Sequence, residues 1–145
     1  MNNRARSVFA TVLLVAAVSL SSSLHAADKE RKVVLQISDA SAEKQTLVLN
    51  VANNLQQHYG VDKVKIEIVA FGPGLRLLFK DNVNKDRVGG LAGRGVQFSA
   101  CQNTVKGMTK LLGHPPAIND KAVSVPAGIA RIMELTDHGY TLVRP

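Results

Sequence analysis

The chain has 145 residues, a formal net charge of +7, no tryptophan and only 4% aromatic residues. So few rings exclude a stacking platform for single-stranded nucleic acid, and the scattered basic residues imply solubility and a mild attraction for anions. A single cysteine, Cys101, excludes an internal disulfide, and the core has to be built from Val, Leu, Ile and Ala.

Taken in chain order, the first segment is expected to be an export signal. Arg4 and Arg6 form a basic n-region, residues 7–20 are almost wholly apolar, and Ser21-Ser22-Ser23-Leu24-His25-Ala26 leads to a cleavage site after Ala26. The apolar run is shorter than the ~20 residues a bilayer-spanning helix requires. Residues 27–145 then form one domain, expected in the periplasm with no membrane insertion and no nucleic-acid partner.

Val33-Val34-Leu35-Gln36-Ile37 reads as a strand buried on both faces. Ser38-Asp39-Ala40 is a loop, and Ser41 is the N-cap of a helix whose inward stripe is expected at Leu47, Val51, Leu55 and Tyr59, with Ala52 beside them and Gly60 as the stop. Residues 64–71 form a second strand, broken by Gly72-Pro73-Gly74. Leu75, Leu77, Leu78 and Phe79 make a short buried helix or turn carrying Arg76, and residues 84–94 a helix resting on Val88 and Leu91. Residues 95–101 alternate as a third strand, followed by a helix to about Leu112 with Val105, Met108 and Leu112 inward. Val123-Ser124-Val125 is a fourth strand closed by Pro126; a helix on Ile129, Ile132, Met133 and Leu135 and a strand over residues 140–143 finish the chain.

Strands alternating with helices predict an α/β fold: a three-layer α/β/α sandwich with a mainly parallel sheet of about five strands. In such sheets ligands gather beyond the C-terminal ends of the strands. Four segments are expected there: Ser38-Asp39, Gly72-Pro73-Gly74, Cys101-Gln102-Asn103-Thr104 and Pro126-Ala127-Gly128.

Cys101 carries the sharpest chemical expectation. A thiol between a strand end and a helix start faces unpaired N–H groups and the positive end of the helix dipole, which favour the thiolate. Asn103 and Thr104 are placed to hydrogen-bond the sulfur or a small anion, or simply to cap the helix; Gly72 and Gly74 let backbone approach a ligand or make a tight turn. Ser38 is a candidate pocket residue, while Asp39 suits backbone N–H groups of its own loop. His58, His114 and His138 lack metal-ligand spacing, so no metal is expected. No G-x-G-x-x-G follows the first strand and no G-x-S-x-G is present, which argues against a dinucleotide-binding enzyme and an α/β-hydrolase.

The order of the first strand, the Gly-Pro-Gly loop, GVQFSACQNTVKGM and VSVPAGIARIMELTDHGYTLVRP resembles the DsrE/DsrF-like family, especially its small exported members, over roughly residues 33–145. The resemblance implies one α/β/α domain assembling into homo-oligomers, often trimers or hexamers. It also implies a cysteine that receives sulfane sulfur as a persulfide and passes it to a partner protein, with Cys101 in the place of the cysteine of the exported members' C-x-x-T segment. Two readings stay open. In one, Cys101 is a sulfur carrier or sulfurtransferase nucleophile, presented at the mouth of the sheet and needing no metal or nucleotide cofactor. In the other, the protein is a non-enzymatic homo-oligomeric binding module and Cys101 only packs.

Overall fold

The computed structural model describes residues 30–145; the expected export signal lies outside them. Five strands, β1 (Arg31–Ile37), β2 (Val64–Ala70), β3 (Gln97–Cys101), β4 (Ala122–Val125) and β5 (Thr141–Val143), join in one sheet of order β4-β3-β2-β1-β5. Every neighbouring pair is parallel. The connections are α1 (Ala42–Tyr59), α2 (Lys85–Gly93), α3 (Gln102–Leu112) and α4 (Gly128–Asp137), with 3-10 segments at Val61–Lys63 and Gly72–Leu78.

The right-handedness of parallel crossovers distributes these helices. From β1 to β4 the chain steps sideways in one direction, and α1, Gly72–Leu78, α2 and α3 all fall on one face of the sheet. The step from β4 back past β1 to β5 reverses direction, so α4 lands on the other face. The result is a three-layer α/β/α sandwich.

Alternation along the strands supplies the two cores. Leu35, Ile68 and Phe98 point to the populated face, where Val48, Leu49 and Ala52 of α1, Leu75, Leu77 and Leu78, and Val88 and Leu91 of α2 cover them. Val34 and Val69 point the other way, onto Ile132 and Leu135 of α4.

The helix limits follow the local chemistry. Ser41 Oγ accepts from Lys44 N at 3.4 Å at the start of α1, and Gly60, at φ +93°, releases the chain at its end. The inward face of α1 differs from the expected stripe: Gln45, Val48, Leu49, Ala52 and Gln56 are buried, whereas Leu47 and Tyr59 are exposed and Val51 and Leu55 only half-buried. A strict four-residue repeat drifts around the helix, and the contact face follows the mixed i, i+3, i+4, i+7 spacing. The buried glutamines are tolerated because their amides are bonded. Asn82 Nδ2 donates to Gln45 Oε1 at 2.9 Å, and Gln56 Nε2 donates to Arg94 O at 2.9 Å.

The second half of the chain departs further from expectation. No residue of α3 is buried: Val105 and Met108 rest half-buried on the core, and Leu112, expected inward, is exposed. On α4, Ile132 and Leu135 are buried but Ile129 and Met133 face solvent. α3 lies over β3 beside the short edge strand β4, where too little sheet remains to cover a full apolar stripe. α4 lies over β1 and β2 and is alone on its face among the described elements, so only the side turned to the sheet is buried.

Candidate functional site at the β3–β4 switch point

A parallel sheet puts all strand C-termini at one edge. There the register pairs Ile37 with Ala70, Ala70 with Ala100 and Cys101 with Val125. The segments 38–39, 72–74, 101–104 and 126–128 therefore stand in a row. From β3 the chain turns into α3 on one face, and from adjacent β4 it turns into α4 on the opposite face. This divergence opens the crevice at which open α/β sheets place their ligands, and Cys101 sits at its base.

Cys101 is both the last residue of β3 and the N-cap of α3. Burial works to raise its thiol pKa, yet the net displacement is downward. The Thr104 hydroxyl and the amides of Thr104, Gly128 and Asn103 all face the sulfur and favour its anion. Sulfur is a weak acceptor, and α3 has no side-chain cap bond of the kind Ser41 makes on α1. The number and origin of the donors matter more. Two amides come from the first turn of α3 and one from the start of α4, so two helix N-termini converge on one atom. Asn103 N also donates to Pro126 O at 3.3 Å, tying the two loops together.

Thr104 is oriented in turn. Its Oγ1 accepts from Gly72 N at 2.8 Å, which leaves the hydroxyl hydrogen free for the sulfur. Gly72 makes this possible at φ +52°, a conformation that suits glycine. Gly74 serves a different end: a Cβ there would lie 2.4 Å from Ile37 O, so it lets the loop lie directly on the end of β1. Gly128 is also confined, since its Cβ would meet the Phe71 ring at 3.0 Å.

The other sequence-chosen residues are less involved. Asn103 contributes its amide, its side chain being exposed. Ser38 Oγ accepts from Gln36 Nε2 at 3.4 Å, and Asp39 Oδ1 accepts from Ser41 N at 2.7 Å, a loop role. His114 follows the far end of α3, about 16 Å along the helix from the sulfur, and His138 Nδ1 bonds Glu134 O at 2.6 Å at the end of α4. Among the described residues, no three of His, Cys, Asp or Glu gather as metal ligands, and no helix is long and apolar enough to cross a membrane.

Sequence reasoning missed the ion pair that anchors α4. Glu67 of β2, 2% exposed, accepts from Arg131 Nε and Nη2, each at 2.8 Å, and from Ser99 Oγ at 2.6 Å. The carboxylate raises the arginine's pKa further. This fork holds α4 on the sheet and with it the Gly128 amide at the sulfur. Its one legible signal was a glutamate among the apolar residues of a buried strand.

The sulfur is not open to solvent as the reactive reading expected. Cys101 is 4% exposed, with the first turn of α3 and the Gly128 amide at the start of α4 against its sulfur. Open space lies on the other side of Thr104: a cleft of about 460 Å³ between Gly72–Leu78 and α3, lined by Pro73, Arg76, Phe79, Met108, Leu111 and Leu112 with Gly72, Thr104 and Gly107.

Fold and site together define an α/β/α protein with a polar-caged thiol at its topological switch point. The chain matches no protein-family model and no curated protein. Among solved structures it is similar to MTH1491 of Methanobacterium thermoautotrophicum, a protein of unknown function. The TM-score is 0.71 and the identity 27%, covering 79% of this chain and 99% of that one. The likeness supports the fold.

Proposed function

We propose that this is an exported, homo-oligomeric sulfur-handling protein of the DsrE/DsrF-like kind, in which Cys101 carries sulfane sulfur. The observation that carries the reading is the set of donors on the sulfur, from Thr104, Gly128 and Asn103, which offsets burial and favours the thiolate. In the step proposed, Sγ as thiolate attacks the outer sulfur of a donor persulfide R–S–SH. The new Sγ–S bond forms as the donor's S–S bond breaks, and the bonding pair leaves on the donor's inner sulfur, which takes a proton from water. Cys101 becomes Cys–S–SH, and no external oxidant or reductant is consumed. Once Cys–S–SH gives its proton to water, the same amides face Cys–S–S⁻, an anion of the same charge as the starting thiolate.

Incubation with polysulfide tests this directly. Intact mass should increase by one sulfur atom, and Cys101→Ser should abolish the gain. If the wild-type protein takes up no sulfur, the carrier role is wrong.

A second reading rests on the near-complete burial of the same atom. In that case the protein is a non-enzymatic binding module and Cys101 fills the strand end. It requires native Cys101 to resist iodoacetamide until denaturant is added, and Cys101→Ser to leave assembly intact.

A further inference from the structure

The cleft beyond Thr104 has a chemistry of its own. Its walls are apolar, with Pro73 and Phe79 on one side and Met108, Leu111 and Leu112 on the other. Leu111 is 87% exposed and Leu112 53%, side chains that nothing in the described chain covers. Its volume of about 460 Å³ lies within the range of small-molecule sites. Arg76 also lines it, and its guanidinium has no ion-pair or hydrogen-bond partner among the described residues. The two walling segments, Gly72–Leu78 and Gln102–Leu112, contain Arg76, Lys106 and Lys110 and no Asp or Glu. Gly107 keeps the floor open, since a Cβ there would meet nothing within 4 Å.

We propose that this cleft binds a small amphipathic carboxylate, its apolar chain on Phe79, Met108, Leu111 and Leu112 and its head paired with Arg76. An arginine fork matches a carboxylate with two parallel N–H···O bonds, stronger beside apolar walls than in open water. A wholly apolar ligand leaves Arg76 unused, and a cationic one meets Arg76 and finds no carboxylate on either walling segment. A nucleotide lacks an aromatic partner beyond Phe79. The assignment stands independently of sulfur chemistry at Cys101, although Thr104 borders both places.

Titration calorimetry with decanoate, decanol and decyltrimethylammonium, all below their aggregation limits, tests it. Decanoate is expected to bind saturably with one site per chain, about tenfold tighter than decanol, as a charge-assisted head contact requires. The cation should bind weakest. Arg76→Gln should cost decanoate about tenfold and leave decanol unchanged, whereas Leu112→Gln should weaken both; Arg76 and Leu112 are exposed, so both variants fold. Cys101→Ser should still bind decanoate, which separates this proposal from the sulfur reading. Non-saturable binding, equal affinity for decanol, or an Arg76→Gln variant that holds decanoate as well as wild type would each overturn it. So would sedimentation showing that Leu111 and Leu112 are covered by a second copy: a dimer that Leu112→Gln dissociates and that takes up no decanoate.

Discussion

Helices α1 and α3 both carry an apolar stripe and both lie on the same face of the sheet, yet α1 buries Gln45, Val48, Leu49, Ala52 and Gln56 while α3 buries nothing. The difference is position in the sheet. α1 follows β1 and packs on the central pair β1–β2, with α2 beside it. α3 lies over β3 next to the four-residue edge strand β4, so its outer apolar residues have no neighbour. One helix spends its hydrophobic surface on stability. The other keeps it on the surface, beside the thiol and the cleft, where a fold leaves room for ligands.

The largest expected effect breaks the support that both halves share. Arg131→Met strands the buried carboxylate of Glu67 and should cost about 3–5 kcal/mol in denaturant unfolding. A loss of a few tenths would mean that the fork does not hold α4. Next, Leu49→Ala on α1 should cost about 2–5 kcal/mol by the same measurement, because it opens a cavity under the central strands.

Thr104→Val probes the site more finely. Losing the hydroxyl removes one donor from the sulfur, so native iodoacetamide labelling of Cys101 should require higher pH, with a rate several-fold lower near neutrality. The accompanying stability loss should be about 1 kcal/mol and depend on pH in a definite direction. A thiol whose folded pKa lies below its unfolded value of about 8.5 stabilises the protein fully above that value. The contribution fades as pH falls through the folded pKa. Wild type and variant should therefore differ more at alkaline than at acid pH; equal differences at both ends would contradict thiolate stabilisation. The smallest effect belongs to α3. Leu111→Ala should change stability by no more than about 0.5 kcal/mol, and a large loss would show that the helix is covered.

Much of the fold was legible because its signals are local. The apolar run of β1, the alternation into β3, Ser41 before α1 and Gly60 after it mark their elements without help from distant residues. The strand–helix alternation was enough for a parallel sheet, and a parallel sheet was enough to line up the four C-terminal segments. Helix faces were less legible. Leu47, Leu112, Ile129 and Met133 have the right character for a core and lie outside it, since a stripe's width reports amphipathicity and not how much sheet lies beneath.

The candidate site divides in the same way. Sequence alone determined that a solitary thiol would stand between a strand and a helix, next to Asn103 and Thr104, because a few adjacent residues decide that arrangement. Only the tertiary structure decided that the Gly128 amide joins them, that Gly72 orients Thr104, that Glu67 and Arg131 hold α4 in place, and that the sulfur lies beneath the surface with an apolar, cationic cleft beside it. Those relations join residues some thirty to sixty positions apart in the chain. They arise from sheet order and crossover direction, which no local pattern of residues encodes.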